Sequence, residues 1–187
     1  LVNILLKILN HTSLEKLVKI LKKLNWVEKY PGKKKIAVFI SGRGSNLKSL
    51  VKYSNKKNSL ITISLVISNN PNAKGLKYAE KSKIKNYVIR FKSKSFFESQ
   101  SLRLLKKNGI DILCLAGFMK ILSGNFIKKF SQPILNVHPS LLPKYKGLNT
   151  HERAIKNKEN FSGATIHKVT QKLDSGKIIF QKKVKIL

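Results

Sequence analysis

Ile36-Ala37-Val38-Phe39-Ile40-Ser41-Gly42-Arg43-Gly44-Ser45-Asn46-Leu47 is the stretch on which the fold of this chain turns. Residues 36–40 are apolar at every position rather than at alternate ones, the pattern of a strand covered on both faces. Ser41 to Asn46 supply a glycine-rich turn, and Leu47, Leu50 and Val51 then recur at helical spacing. Strand, Gly-rich turn and helix, in that order, open a parallel α/β unit.

The same alternation continues outward. Leu60 to Ile67 predicts a second strand, closed by Ser68-Asn69-Asn70-Pro71 and followed by a helix around Leu76 to Lys81. Tyr87-Val88-Ile89 predicts a third strand, Phe96 to Lys107 a helix, and Ile110 to Leu115 a fourth strand ending at Gly117. Ile134 to His138 runs as a strand into Pro139, and Gly163 to Val169 and Ile178 to Phe180 are strands by their β-branched content. The expected fold class is α/β, a mostly parallel, doubly wound, Rossmann-like sheet. No internal repeat is present.

Upstream, Leu5, Ile8, Leu9, Leu14, Leu17, Val18, Leu21 and Leu24 lie at helical spacing with Lys on the other face, and Thr12 or Ser13 is placed to cap the second stretch. Tyr30-Pro31-Gly32 breaks the pattern. Residues 1–32 therefore read as a helical N-terminal extension with few ties to a domain over 33–187. A membrane or partner helix is the competing reading; a solvated extension is preferred.

With 187 residues, 42% of them hydrophobic, the chain can fill one domain core. Thirty-nine basic against eight acidic residues give a formal charge of +31, which on its own suggests nucleic acid or an anionic surface. Only Arg43, Arg90, Arg103 and Arg153 are arginines; the rest is Lys, scattered with abundant Ile and Asn as in A/T-biased coding. Phosphate and base readers instead cluster Arg for its planar fork, so no nucleic-acid partner is expected. The single Cys114, inside an apolar run, excludes a disulfide framework or cysteine zinc cluster. No apolar run has the length of a membrane span and no secretory lead is present, so a cytoplasmic protein without membrane contact is expected.

In an open parallel sheet, ligands bind beyond the carboxyl ends of the strands. The first segment there, Gly42-Arg43-Gly44-Ser45-Asn46, lets backbone approach an anion at a helix N-terminus. Leu47 replaces the third glycine of a dinucleotide fingerprint, no acidic residue follows the second strand, and the Gly-Lys-Ser/Thr of a triphosphate loop is absent. A monophosphate site remains, against a simple tight turn. Gly117-Phe118-Met119-Lys120-Ile121-Leu122 follows the fourth strand; its Met and aromatic content fits core as well as pocket. Alternation puts Asn136 and His138 on one strand face, where an amide donor and an imidazole can meet one reacting oxygen. Asp174, in Leu173-Asp174-Ser175-Gly176, is either a turn former or part of that chemistry. His151-Glu152 lacks the second His of a zinc helix, so no metal is assigned.

Taken together, residues 40–47, 115–123, Asn136-Val137-His138-Pro139-Ser140-Leu141-Leu142-Pro143-Lys144-Tyr145, Gly147-Leu148 and Thr150-His151 resemble the folate-dependent phosphoribosylglycinamide formyltransferase family of purine biosynthesis. The resemblance runs from about Lys34 to the end. It implies formyl transfer from 10-formyltetrahydrofolate, as co-substrate, to the amine of glycinamide ribonucleotide, with these small molecules as partners. By resemblance, Gly44, Ser45 and Asn46 take the substrate phosphate. Met119, Lys120, Ile121 and Leu122, together with Lys94, meet the folate, as do Asn136 and the loop Thr170, Gln171, Lys172, Leu173 and Asp174. Asn136, His138 and Asp174 match the catalytic set, in which Asp174 favours the imidazolium of His138 by its charge. Lys94 and Lys120 stand where the family has Arg, and Asn149 where some members have His. The family also continues past the strand near Leu187, so the domain reads as truncated there. Two related families share fold and triad, methionyl-tRNA formyltransferases and formyltetrahydrofolate deformylases; Gly147-Leu148-Asn149-Thr150-His151 favours the glycinamide enzyme.

Overall fold

The computed structural model describes residues 32–186. The helical extension expected at the N-terminus lies outside the described residues. The remainder is a mixed α/β fold in two compact units, residues 31–134 and the segment from Leu135 onward.

In the first unit four strands, β1 (Lys34–Ile40), β2 (Ile61–Ser68), β3 (Asn86–Val88) and β4 (Ile112–Leu115), are all parallel in the order β3-β2-β1-β4. Between them lie α1 (Ser45–Ser54), α2 (Lys74–Lys81) and α3 (Lys94–Lys107), with α4 (Gly124–Phe130) after β4. The direction of strand addition reverses between β1 and β4, so the loops leaving these two strands diverge and open a crevice at their carboxyl ends. Ala37, Val38, Phe39 and Ile40 are completely buried, as the uninterrupted apolar run demands.

Aromatic packing fixes the layer over that crevice. The ring of Phe39 meets Phe97 of α3 edge-on at 5.6 Å, and Phe97 stacks on Phe118 at 5.4 Å. The side chain of Phe118 thereby anchors the connection after β4, while Met119 and Ile121 beside it remain 63% and 57% exposed. Cys114 sits inside β4, and burial pushes its thiol up to about 12.

Several strand boundaries differ from those the sequence predicts. The fourth strand starts at Ile112 rather than Ile110, because Asp111 turns its carboxylate back to accept the N–H of Lys35 at 2.7 Å. The third is Asn86–Val88; Ile89 donates to the Ser68 carbonyl just beyond the ladder. The last extends through Lys185, because Gln181 to Lys185 stay laddered to Phe161 to Thr165.

The second unit is antiparallel. β5 (Ile134–His138) pairs with β6 (Phe161–Lys168), which pairs with β7 (Ile178–Lys185). The helix α5 (Thr150–Lys156) intervenes between β5 and β6. Register places Asn136 opposite His167 and His138 opposite Thr165. No helix among the described residues is long and apolar enough to cross a membrane.

Candidate active site

The glycine-rich segment is shaped by a backbone-to-backbone contact. Gly44 is the N-cap of α1 with φ +75, and a Cβ there would come within 2.5 Å of the Gly75 Cα. The Gly75 N–H in turn donates to the Gly42 carbonyl at 3.1 Å. Both positions therefore require glycine, one for its left-handed backbone and both for closeness. Ser45 and Asn46 are the first residues of α1, where N–H groups have no intrahelical acceptor and the helix dipole favours an anion.

Ser41 joins this segment to the connection after β4. Its Oγ–H donates to Asn69 Oδ1 at 2.6 Å and its Oγ accepts the Met119 N–H at 2.9 Å. The Ser41 N–H donates to the Gly117 carbonyl. Farther along, Glu98 accepts both the N–H and the hydroxyl of Ser123, the N-cap of α4. Met119-Lys120-Ile121-Leu122 is thus held at both ends: Leu122 is buried, and Lys120 places its ammonium 4.8 Å over the Phe91 ring. Lys94 is the exposed first residue of α3, behind the Ser93 cap.

In the second unit, Asp174 gathers the polar side chains. Its Oδ2 accepts the Gly147 N–H at 2.8 Å and faces His138 Nδ1 at 3.4 Å. Its Oδ1 faces Asn136 Nδ2 and His167 Nε2, each at 3.4 Å. The side chains of His138, His167 and Asp174 are 6%, 2% and 7% exposed, so these interactions act in a poorly solvated setting. Burial pushes the Asp174 carboxyl up, but the His167 hydrogen bond, the Gly147 N–H and the positive charge of the two imidazoles outweigh it. The carboxyl is held below its ordinary value.

His138 Nε2 lies 2.8 Å from the Tyr145 carbonyl oxygen. With Nδ1 turned to Asp174, both ring nitrogens face acceptors, an arrangement that the doubly protonated ring satisfies at both ends. Tyr145, left-handed at φ 55, is pinned by its hydroxyl on Glu159 and by the Arg153 guanidinium over its ring. His167 Nδ1 donates to the Lys168 carbonyl at 3.0 Å, which leaves Nε2 to accept from Asn136 at 3.2 Å or, once protonated, to donate to Asp174.

The structure thus brings together Asn136, His138 and Asp174, which the sequence singles out. It adds His167, Gly147, the Tyr145 carbonyl and, in the first unit, Ser41, Asn69 and Gly75. Alternation along β6 together with the β5 register would have exposed His167; Gly75 gives no local signal. Thr170 turns its hydroxyl onto the Lys172 carbonyl, and Gln171, Lys172 and Leu173 are exposed. His151, the second residue of α5, has Nδ1 buried and without a partner among the described residues, and burial, aided by the charge of His138, pushes its pKa down.

Residues 34–187 match the family model described as formyl transferase. The chain is 42% identical over 160 residues to phosphoribosylglycinamide formyltransferase of Haemophilus influenzae, covering 82% of this chain and 74% of that protein. Against the trifunctional purine biosynthetic protein adenosine-3 of Gallus gallus it is 43% identical over 157 residues, 82% of this chain. It spans only 16% of that relative's length. A solved phosphoribosylglycinamide formyltransferase from Anaplasma phagocytophilum superposes with TM-score 0.78 at 42% identity, covering 82% of this chain and 72% of that one. Glycinamide ribonucleotide transformylase 1 from Symbiobacterium toebii gives 0.80 at 32% identity, covering 84% and 76%. With the motifs, the sheet and these likenesses in agreement, the chain belongs to the formyl transferase family.

Proposed function

We propose that this chain transfers the formyl group of 10-formyltetrahydrofolate to the primary amine of glycinamide ribonucleotide, a step of purine biosynthesis carried out in the cytoplasm. The observation that carries the reading is the convergence of Asn136, His138 and His167 on the Asp174 carboxylate. Attack of the amine on the formyl carbon makes a tetrahedral oxyanion; the new C–N bond forms, the bond to N10 breaks, and the amine's proton passes to N10. Asn136 Nδ2 donates to the oxyanion and the His138 imidazolium stabilises it and supplies a proton, with Asp174 compensating its charge. No covalent enzyme intermediate is needed.

Gly44, Ser45 and Asn46 hold the ribotide phosphate through backbone N–H groups. Met119 to Leu122 take the folate: exposed Met119 and Ile121 offer an apolar face and the backbone offers amide groups to a flat heterocycle. Lys94 and the loop from Thr170 to Asp174 contribute to the same co-substrate. The test is spectrophotometric: loss of 10-formyltetrahydrofolate that requires glycinamide ribonucleotide supports the reading. Loss that proceeds equally without it makes water the acceptor and the chain a deformylase.

A further inference from the structure

We propose that Ser41 is a positioning residue that couples the anion loop to the Met119–Leu122 segment, so that a phosphate bound at the one strengthens folate binding at the other. The inference rests on the functional reading above. Ser41 is the last residue before Gly42, and all its polar groups reach other loops. Its N–H donates to the Gly117 carbonyl at 3.1 Å and its carbonyl accepts Asn70 Nδ2 at 3.1 Å. Its hydroxyl donates to Asn69 Oδ1 and accepts the Met119 N–H.

The hydroxyl has one proton, and Asn69 takes it, so its lone pair is turned to Met119. That bond fixes the plane of the peptide entering Met119, and with it the direction in which the next amide groups face. The opposite end of the segment is fixed by Glu98 on Ser123, which leaves the Ser41 end as the one linked to the anion loop. On the other side, the Gly42 carbonyl receives the Gly75 N–H, and Gly44 packs on Gly75. An anion that orders the N–H groups of residues 44–46 therefore also orders Ser41, and Ser41 orders Met119. When one ligand orders an element that a second ligand also needs ordered, the second no longer bears that ordering cost, and the two affinities are coupled reciprocally.

The experiment measures the dissociation constant of 5-formyltetrahydrofolate, a folate that does not donate its formyl group here, by calorimetry. It is measured with and without saturating glycinamide ribonucleotide. For the unaltered chain we expect the nucleotide to tighten folate about five- to tenfold, within the usual range of such couplings. In Ser41→Ala the factor should fall to about one. Ser41→Thr, which keeps the hydroxyl, should restore the coupling, and Asn69→Ala, which frees the hydroxyl to rotate, should lose part of it. Melting temperatures separate a misfolded variant from an uncoupled one. A coupling factor that survives in both Ser41→Ala and Asn69→Ala, or that is absent from the unaltered chain although each ligand binds, overturns the proposal. If neither ligand binds the unaltered chain, the functional reading fails, and this inference with it.

Discussion

Asp174 Oδ2 stands 3.4 Å from Nδ1 of His138, and both side chains are more than nine-tenths covered. A carboxylate in that setting needs its charge compensated, and here the compensation is the same imidazole to which the proposed function gives the proton transfer. Asp174→Asn keeps shape but removes the charge that faces His138. We expect lower turnover in this variant, with a smaller loss of folate affinity. Steady-state kinetics in both substrates is the check.

The depressed Asp174 value also bears on stability. Its folded value lies below its ordinary one, so the ionised form favours the native state at and above the ordinary carboxylate range. That contribution is lost as the pH falls through the depressed value. The stability gap between the unaltered chain and Asp174→Asn should therefore shrink from neutral pH toward acid. Urea melts at both ends of the range measure it.

Asn136→Ala removes the amide donor that the proposed function gives to the oxyanion and frees His167 Nε2 from its amide partner. Loss of one such donor costs roughly 10²- to 10³-fold in turnover. Steady-state kinetics should place the loss in kcat rather than in the KM for folate.

Gly44→Ala forces a side chain into a left-handed backbone and against the Gly75 Cα. The strain is about 1–3 kcal/mol, and the loop should yield before the sheet does. We expect a raised KM for glycinamide ribonucleotide with kcat much less affected. The corresponding riboside, lacking the phosphate, should bind the unaltered chain far more weakly than the ribotide.

Phe97→Ala should cost about 3–5 kcal/mol, since its ring is completely buried between Phe39 and Phe118. Because Phe118 leads directly into Met119, folate affinity should fall with stability. Thermal melts and folate titration of the same variant report the two together.

The parallel half of the fold is legible because its signals are local: residues 36–40 are apolar without interruption, and Gly42 to Asn46 mark the turn into α1. Asn136 and His138 are legible from alternation. Asp174 stands out because it is one of only two aspartates, with Asp111. Gly75 is invisible, since what demands glycine there is the distant Gly44 backbone. The left-handed conformation of Tyr145 is likewise imposed by tertiary contacts rather than by residue type, whereas Asn149 and Asp174 are residue types that adopt it. Ser41 reads as an ordinary turn residue until Asn69 and Met119 are seen at its hydroxyl.

The central claim is that His138, held between Asp174 and the Tyr145 carbonyl, drives formyl transfer to the amine of glycinamide ribonucleotide. The direct test is the turnover of 10-formyltetrahydrofolate with that nucleotide by the unaltered chain and by His138→Ala, each confirmed folded by its melting curve. Nucleotide-dependent turnover is expected in the first and a fall of at least roughly 10²-fold in the second. Near-native turnover by His138→Ala would contradict it.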